Sequence, residues 1–523
     1  MSATRTLARA GLVVSGAFLI SRILGYVRIF VIADTFPVGR ELDAFFAAFR
    51  IPDLIFQLVA AGALSSALIP IVSGLFTSNE QQRAWRVVST VINLMLIALV
   101  TLAVVLFVLA PQVMAVITPG FGPVELDKTV ELTRIMLLSP IFLAMGAVAT
   151  SVLNSGGRFA ASAVAPIVYN LVIIVAAKTL APSLGIEGLA LGVVLGSLGH
   201  LLVQIRPMAR LGFRYQPRIE TADPQARKAL VLMAPRAFGL GVTQITFIVV
   251  TALASGLGVG AVSDFNFAFA LLQIPLGIIG VPLGIVLLPS LSREAAVGRE
   301  IAYVDLLTRA LRLLMYVMVP IAILTGVLRQ QVVEILFGSE RVSPADLDLI
   351  ATTLLCFMIG LTAHALIAVL ARAFYARQDT LTPVLAAVGA VAINCTLAVA
   401  LVGPYGLAGI AVAIAIAAWI EAIALLVILH RRLFHFTAQG LLRVGIESLV
   451  AGIVAGAVAY GVLGVVEGAL GVDPGRLVLV VEATIVSLAF GLAYAAASLV
   501  LRIPELPSIV GVMVDVLRRP RRS

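Results

Sequence analysis

Residues 21–53 read SRILGYVRIFVIADTFPVGRELDAFFAAFRIPD, which is two apolar segments joined by a polar turn. Five charged residues interrupt the apolar segments: Arg22, Arg28, Asp43, Arg50 and Asp53. An arginine at the centre of a membrane helix costs about 2.5–3.5 kcal/mol on insertion scales, so such residues usually face a cavity or a partner. The three arginines therefore predict a polar chamber that binds an anion, with the rest of the chain forming its wall.

The composition places the whole chain in a membrane. Of its 523 residues, 61% are hydrophobic and only 12% are charged, and the mean hydropathy is +1.12. A soluble domain is about 25% charged. We therefore expect an all-α polytopic membrane protein, and the net charge of +9 is no sign of nucleic-acid binding. The two cysteines, Cys356 and Cys395, lie in apolar runs and predict neither a disulfide framework nor a metal site.

A membrane-crossing helix needs about 20 mostly apolar residues, and the sequence contains fourteen such segments. They cover residues 10–33, 43–76, 87–110, 132–153, 160–180, 185–205, 230–255, 262–288, 306–328, 347–373, 382–402, 407–429, 446–466 and 477–501. The first is too long for a signal peptide and is interpreted as a retained helix. The second is overlong, so we expect part of it either to extend beyond the lipid or to bend at Pro52 and Pro70.

The basic residues predict the orientation of these spans. With the amino terminus in the cytoplasm, 25 of the 36 Lys and Arg residues fall at cytoplasmic ends and 7 fall on the opposite side. Short cytoplasmic loops are enriched in Lys and Arg. The pattern therefore predicts that both termini are cytoplasmic.

The chain also shows a weak internal repeat. The second span begins Ile-Pro at Ile51 and the eighth begins Ile-Pro at Ile274, and each follows an acid, Asp43 or Asp264, and a Phe-rich stretch. Six spans per half give both halves the same orientation, as in parallel repeats. The predicted organisation is a six-helix lobe at 1–205, a basic cytoplasmic linker at 206–229, a second six-helix lobe at 230–430, and two extra helices with a basic tail at 431–523.

The spacing of the first two arginines matters for the predicted chamber. Arg22 and Arg28 are six residues apart, so a regular helix separates their directions by about 240°. Gly25 lies between them. We expect a local bend at Gly25 to bring both arginines to one cavity.

The charges of the second span have two interpretations. Asp43 and Arg50 are seven residues apart and share a helix face, with Asp53 adjacent to Arg50. One interpretation is an internal ion-pair network that joins two helices. The other is a phosphate-binding cluster in which Asp43 and Asp53 orient the arginines, because the planar guanidinium binds phosphate through two hydrogen bonds. We favour the second, since three arginines outnumber two acids.

Four polar residues of later spans are candidate supporting residues: Arg236, Gln273, Asn394 and Glu421. Arg236 fits an interface anchor first and a cavity residue second. Glu421 fits either a coupling-ion ligand or a hydrogen bond between helices. The sequence lacks a zincin His pair, a phosphate-binding Gly loop followed by Lys, and a nucleophile elbow, so we predict no enzymatic activity.

Five motifs together resemble one family. They are SRILGYVR at 21–28, LDAFFAAFRIPD at 42–53, GALSSALIPIVS at 62–73, IPLGIIGVPLGIVLLPSLS at 274–292 and LARAFYARQDTLTPV at 370–384. In order and over nearly the whole chain, these resemble the lipid II flippase family MurJ, also called MviN. The resemblance implies the fold of multidrug/oligosaccharidyl-lipid/polysaccharide exporters, with two six-helix lobes around a central cavity and two C-terminal helices that form a lipid-accessible groove.

The same resemblance implies a function. It implies transport of the peptidoglycan precursor lipid II, an undecaprenyl-pyrophosphate-linked disaccharide-pentapeptide, from the inner to the outer leaflet of the bacterial inner membrane. It implies partners among membrane lipids and peptidoglycan synthesis enzymes, and no nucleic acid. It assigns no cofactor; some relatives couple transport to sodium, and proton coupling is the other candidate.

The resemblance also allows a comparison by position. Arg22, Arg28, Asp43 and Arg50 match functional charges of the family in the first two helices. Other positions depart from it: family members often carry charges where this chain has Phe56, Ala61, Ala270 and Gln273. The second-lobe half of the expected anion clamp is therefore depleted. Asn394 matches one polar sodium ligand, whereas Ala398 supplies no carboxylate.

Two other classes of function remain open at this point. One is transport of a different substrate on the same fold, either another polyprenyl-linked oligosaccharide or a drug. Exporters of organic cations are expected to favour acids over arginines in the cavity, which counts against drugs. The other is an inactive scaffold for envelope assembly, which the missing charges of the eighth helix would allow.

Overall fold

The structure, a computed structural model, describes residues 3–59, 63–433, 436, 439–470 and 475–507. In these ranges every regular element is a helix. The helices of the first half are α1 (Ala3–Thr35), α2 (Arg40–Ala48), α3 (Arg50–Val59), α4 (Ala63–Thr77), α5 (Gln81–Ile117), α6 (Pro123–Met136), α7 (Ser139–Ser155), α8 (Phe159–Thr179), α9 (Ala181–Leu184), α10 (Ile186–Arg210) and α11 (Pro224–Ser255).

The later helices are α12 (Ala261–Pro275), α13 (Val281–Ala296), α14 (Glu300–Val327), α15 (Arg329–Phe337), α16 (Pro344–Ala376), α17 (Leu381–Arg432), α18 (Gln439–Leu470) and α19 (Arg476–Val500). A π-helical turn, Leu276–Gly280, joins α12 to α13. The predicted all-α membrane fold is confirmed.

Eleven helical segments of the described chain are long and apolar enough to cross a membrane. The predicted eleventh and twelfth spans are merged in α17, where Gly406 (φ 56°) interrupts the helical conformation. Two shorter apolar helices, Leu68–Thr77 and Gln244–Ser255, fall within the predicted second and seventh spans. The chain is a multi-pass membrane protein, and the count of fourteen stays a prediction.

The predicted second span is interrupted where the bend was expected. Helix α2 ends at Ala48 and α3 begins at Arg50, with Phe49 between them. Pro52 explains the break, because it has no N–H to donate to the carbonyl of Ala48 and its ring clashes there. The interruption is local, because Phe49 has helical φ and ψ angles (−67°, −19°) and the N–H groups of Phe49 and Asp53 donate to the carbonyls four residues earlier. Asp43 and Arg50 both contact α12, and the expectation that they share one helix face stays a prediction.

The chain forms two compact units, Met1–Asn266 and Phe267–Ser523. This division lies beyond the basic segment 206–229, and the predicted lobe boundaries stay a prediction. The core of the first unit is built on α3, α4, α5 and α7, with Leu68, Val88 and Val152 fully buried. The apolar faces of these helices supply the packing that holds the unit together.

Part of the predicted linker packs on the first unit. Phe213 lies edge-on to Trp85 of α5, with 5.5 Å between the ring centroids. The side chain of Asn93 donates to the carbonyls of Gln216 (3.0 Å) and Arg218 (2.8 Å). Extended backbone needs hydrogen-bond partners when it is packed against protein. The linker is therefore anchored along α5.

The second unit has α16 as its most buried helix, with α13, α14 and α17 packed around it. The last two helices, α18 and α19, pack on α14. The hydroxyl of Tyr494 donates to the carbonyl of Tyr316 at 2.8 Å, and the hydroxyl of Tyr316 contacts Ser498 at 3.1 Å. These buried hydrogen bonds fix the register of α19 against α14.

Candidate functional site

Arg50 is held in place by two neutral side chains of the first unit. Its Nε donates to the hydroxyl of Thr251 on α11 at 3.0 Å, and its Nη2 donates to Oδ1 of Asn266 on α12 at 2.7 Å. The guanidinium also lies over the ring of Phe247, 5.3 Å from its centroid. Because Arg50 is the first residue of α3, the break before Pro52 sets the direction from which it reaches α11 and α12.

The two acceptors are themselves fixed. The hydroxyl of Thr251 donates to the carbonyl of Phe247 at 2.8 Å, and the Nδ2 group of Asn266 donates to the carbonyl of Val262 at 2.6 Å. These second hydrogen bonds orient the Asn266 amide so that its oxygen points to Arg50. The arrangement fixes the guanidinium without placing a negative charge on it.

Asp53 connects Arg50 with Arg28. It interacts electrostatically with Arg50 and with Tyr169 of α8, and Gln244 of α11 donates to its Oδ2 at 2.9 Å. The guanidinium of Arg28 lies over the ring of Tyr169, 5.7 Å from its centroid. Arg28, Tyr169, Asp53 and Arg50 thus lie near enough to act on one another electrostatically, and we call these four residues the arginine cluster.

Arg22 lies apart from these contacts. Its guanidinium lies over the ring of Phe18 of the same helix at 5.2 Å, and it interacts with Tyr26 one turn later. Helix α1 continues without interruption through Gly25, and the expected local bend at that residue stays a prediction. Gly25 faces α8, where an added Cβ would lie 4.0 Å from Oδ1 of Asn170.

Asp43 has a structural function that the sequence did not reveal. It is 2% exposed, and its carboxylate accepts hydrogen bonds from the N–H of Gly260 (2.6 Å) and from the N–H (2.8 Å) and hydroxyl (2.6 Å) of Ser263. These donors lie at the start of α12, whose first N–H groups lack intrahelical partners. Asp43 thus caps a helix more than 200 residues away; its predicted role as an orienting acid stays a prediction.

The two interpretations of the arginines make different demands on their partners. Among the described residues, none of Arg22, Arg28 and Arg50 has a carboxylate oxygen within 4 Å, whereas Arg83, Arg312 and Arg432 each do. An internal ion-pair network would bring the acids into direct contact with the arginines. The geometry instead leaves the positive charges of these three side chains without direct neutralisation in the described chain.

The other candidate positions are less informative. Phe56 packs against the apolar core, Ala270 is buried, and Gln273 is exposed. Ala61 and the side chain of Arg236 lie outside the described part of the chain.

Two candidates lie on α17 in the second unit. Asn394 is buried, and its Oδ1 has no hydrogen-bond partner among the described residues. Glu421 is partly buried. The arginine cluster lies in the first unit. The supporting roles of Asn394 and Glu421 therefore stay predictions.

Sequence reasoning missed Thr251, Asn266 and Tyr169 as parts of this site. One signal was present: Gln244 and Thr251 are polar residues seven positions apart in an apolar run, and that spacing places them on one helix face. The structure shows that this face meets Asp53 and Arg50.

Comparisons with known proteins place the chain in a family. The family model described as "Lipid II flippase MurJ" matches residues 32–479. A probable lipid II flippase MurJ of Rhizobium tropici is 32% identical over 436 residues, covering 82% of this chain and 81% of the relative. The lipid II flippase MurJ of Burkholderia cenocepacia is 31% identical over 454 residues, covering 85% and 88%.

Solved structures agree in fold. A lipid II flippase MurJ in an inward closed conformation superposes with a TM-score of 0.78 at 22% identity, covering 94% of this chain and 99% of that structure. An inward-facing multidrug resistance transporter of the MATE family superposes with a TM-score of 0.66 at 15% identity, covering 81% and 95%. On the family model and the curated relatives, this chain belongs to the lipid II flippase MurJ family.

Proposed function

We propose that this chain moves lipid II, the undecaprenyl-pyrophosphate-linked peptidoglycan precursor, from the inner to the outer leaflet of the bacterial inner membrane by alternating access. Both termini lie in the cytoplasm in this proposal. A pyrophosphate headgroup cannot cross hydrocarbon unaided, because burying an unpaired charge is very unfavourable. A negative-inside potential favours export of an anion by about 2.3 kcal/mol per charge per 100 mV.

The observation that carries the proposal is the environment of Arg50. A guanidinium has five N–H donors, and Thr251 and Asn266 each accept from one of them. The remaining donors fit a phosphate, which arginine binds through paired hydrogen bonds. The two hydrogen-bonded partners are neutral and orient the group, whereas a directly hydrogen-bonded carboxylate would compete with the ligand for its charge.

Arg28 and Arg22 extend this anion-binding function. Tyr169 supports Arg28 through its ring, and Asp53, held by Gln244, serves as the orienting acid between Arg28 and Arg50. Arg22 lies nearly two turns before Arg28 on α1 and supplies a third positive charge. The excess of positive charge favours an anionic lipid over an organic cation as the substrate.

Coupling to sodium or protons belongs to the same proposal. The buried Oδ1 of Asn394 has no hydrogen-bond partner among the described residues, and an amide oxygen suits a hard cation such as sodium. Glu421, partly buried in the same helix, is the candidate for a titratable group.

Leaflet-specific labelling of lipid II tests the proposal, in a bacterium whose survival depends on this protein as its lipid II flippase. Arg28→Ala and Arg50→Ala are each expected to lower outward transport at least tenfold at equal amounts of protein in the membrane. Arg309→Ala is the matched control, because Arg309 is an exposed arginine paired with Asp305. Wild-type transport with Arg22, Arg28 and Arg50 all replaced by alanine would reject the proposal.

A further inference from the structure

A polar cavity lies within the second unit. It has a volume of about 720 Å³, and it opens where α13 and α16 end and α14 begins. Its walls include Glu294, Tyr303, Arg377 and Gln378. The volume falls within the range of small-ligand sites, which is roughly 300–1,000 Å³. The proposed transport function uses none of these residues.

Glu294 supplies an unsatisfied acceptor at this cavity. Its Oε2 is buried and has no hydrogen-bond partner among the described residues, and the nearest cationic atom, Nη1 of Arg299, lies 4.0 Å away. Buried carboxylate oxygens are nearly always hydrogen-bonded, since leaving one unpaired costs free energy. Glu294 also lines the cavity, and the charge of its carboxylate would attract a ligand that carries an ammonium or another N–H donor.

Arg377 supplies the opposite charge. Its guanidinium lies 6.0 Å from the centroid of the Tyr303 ring, and within the described ranges it has no carboxylate oxygen within 4 Å. The hydroxyl of Tyr303 donates to the carbonyl of Ala373 at 2.6 Å, which fixes the ring beneath the arginine. Arg377 is therefore positioned to bind an anionic group such as a phosphate.

Gln378 adopts a backbone conformation that is unfavourable for a residue other than glycine. It lies just beyond the end of α16 with φ 62°, the left-handed region. Glycine adopts this conformation freely at a helix end, whereas another residue costs about 1 kcal/mol. Asn79 and Arg502 adopt the same conformation beyond other helix ends, so what distinguishes Gln378 is that it lines the cavity.

We propose that this cavity binds a zwitterionic amine-phosphate group, the headgroup of phosphatidylethanolamine, with its ammonium on Glu294 and its phosphate on Arg377. A purely anionic ligand would meet Glu294 and Glu300, and a purely cationic one would meet Arg377. The cavity lies at the ends of membrane-spanning helices, and Tyr303 and Tyr375 line it. Tyr375 is exposed, and exposed tyrosines at such ends are enriched at the depth of lipid headgroups.

Binding to the purified full-length protein tests this assignment, with nanodiscs of phosphatidylcholine doped with either phosphatidylethanolamine or phosphatidylglycerol. We expect the wild type to retain phosphatidylethanolamine at least tenfold more strongly than phosphatidylglycerol when bound lipids are counted by native mass spectrometry. Glu294→Gln should remove this preference, and Arg377→Gln should weaken both lipids about tenfold. Asp305→Asn, in an exposed ion pair on α14, is the control and should change neither.

Gln378→Gly is a second variant that should fold even if the others do not, because glycine relieves the backbone strain at that position. We expect this variant to be at least as stable as the wild type and to bind phosphatidylethanolamine several-fold more weakly. Equal retention of the two lipids by the wild type, or an unchanged preference in Glu294→Gln, would overturn the proposal. If soluble phosphoethanolamine displaces the lipid at micromolar concentration, the cavity binds a soluble ligand and the proposal of a lipid headgroup is wrong.

Discussion

Two buried or partly buried arginines of the first unit differ in their partners from two arginines of the second unit. In the second unit, Arg312 lies 2.7 Å from a carboxylate oxygen of Glu505, and Arg432 pairs with Asp379. In the first unit, Arg50 has a hydroxyl and an amide as partners, and Arg28 has an aromatic ring. A carboxylate cancels the charge of an arginine, whereas a neutral acceptor only orients it. The chemical type of the partner therefore separates arginines that join helices from arginines available to a ligand.

Giving Arg50 a carboxylate partner, such as Arg312 and Arg432 have, should have the largest effect on transport. Asn266→Asp would place a carboxylate 2.7 Å from Nη2 of Arg50, in the position of the present amide oxygen. We expect outward transport of lipid II to fall at least tenfold, because an internal anion would replace the substrate's phosphate. The thermal unfolding midpoint of the purified protein should stay equal or rise.

The control for this variant is Asn266→Ala, which removes the acceptor without adding charge. Its transport should fall less than that of Asn266→Asp, because Thr251 still orients Arg50. Leaflet-specific labelling, normalised to protein in the membrane, measures both. If Asn266→Asp transports at the wild-type rate, the charge of Arg50 does not act on the substrate.

The next largest effect concerns Asp43, the acid that the sequence analysis grouped with the arginines. Asp43→Asn should lower the free energy of unfolding by about 1–3 kcal/mol, since a charged cap with three donors becomes a neutral one. Chemical unfolding in detergent measures this loss. Transport per folded molecule should stay near the wild-type value; a tenfold loss in a normally stable Asp43→Asn protein would show that Asp43 does orient the arginines.

A paired arginine provides the converse comparison. Arg312→Leu would leave Glu505, which is 9% exposed at its side chain, without its partner. We expect the free energy of unfolding to fall by about 1–2 kcal/mol, a value reduced for the partial exposure of Arg312. Transport per folded molecule should be unchanged. If transport falls while stability does not, Arg312 acts in transport as well. The type of partner would then not distinguish structural arginines from arginines that bind a ligand.

Local chemistry decides which of these features can be read from the sequence. The bend near Pro52 follows from a missing N–H, and the unusual depth of Arg28 and Arg50 follows from hydropathy alone. The partners do not follow, because Asp43 and Arg50 contact residues more than 200 positions away. Asn266 and Thr251 also do not stand out in their apolar runs. The sequence does not indicate which donor a neutral polar residue accepts a hydrogen bond from. The helical phase of Arg22 and Arg28 predicts different directions for them, and in the described chain they contact different aromatic rings, those of Phe18 and Tyr169.

The smallest effect concerns an ion pair outside the membrane-spanning segments. Asp223 lies 2.9 Å from Nε of Arg83 and accepts from the N–H of Gln225 at 2.7 Å. Partial burial acts to raise the pKa of Asp223, but the hydrogen bonds from Arg83 and Gln225 outweigh it and hold the pKa below its usual value. A depressed pKa in the folded state means that the carboxylate stabilises this state above about pH 4, and that this stabilisation is lost as the pH falls through the lowered value.

The segment that this pair anchors runs along α5, so its local opening is the sensitive measurement. Amide hydrogen exchange at residues 213–223 should accelerate between pH 4 and pH 3 in the wild type, beyond the intrinsic change of exchange rate with pH. Asp223→Asn should show faster exchange at pH 6 and no further acceleration on acidification. The hydrogen bonds of Arg50 should respond to acidification in neither protein, because their acceptors, Thr251 and Asn266, do not titrate. Transport that followed the protonation of Asp223 would mean that the anchored segment and the arginine cluster act together.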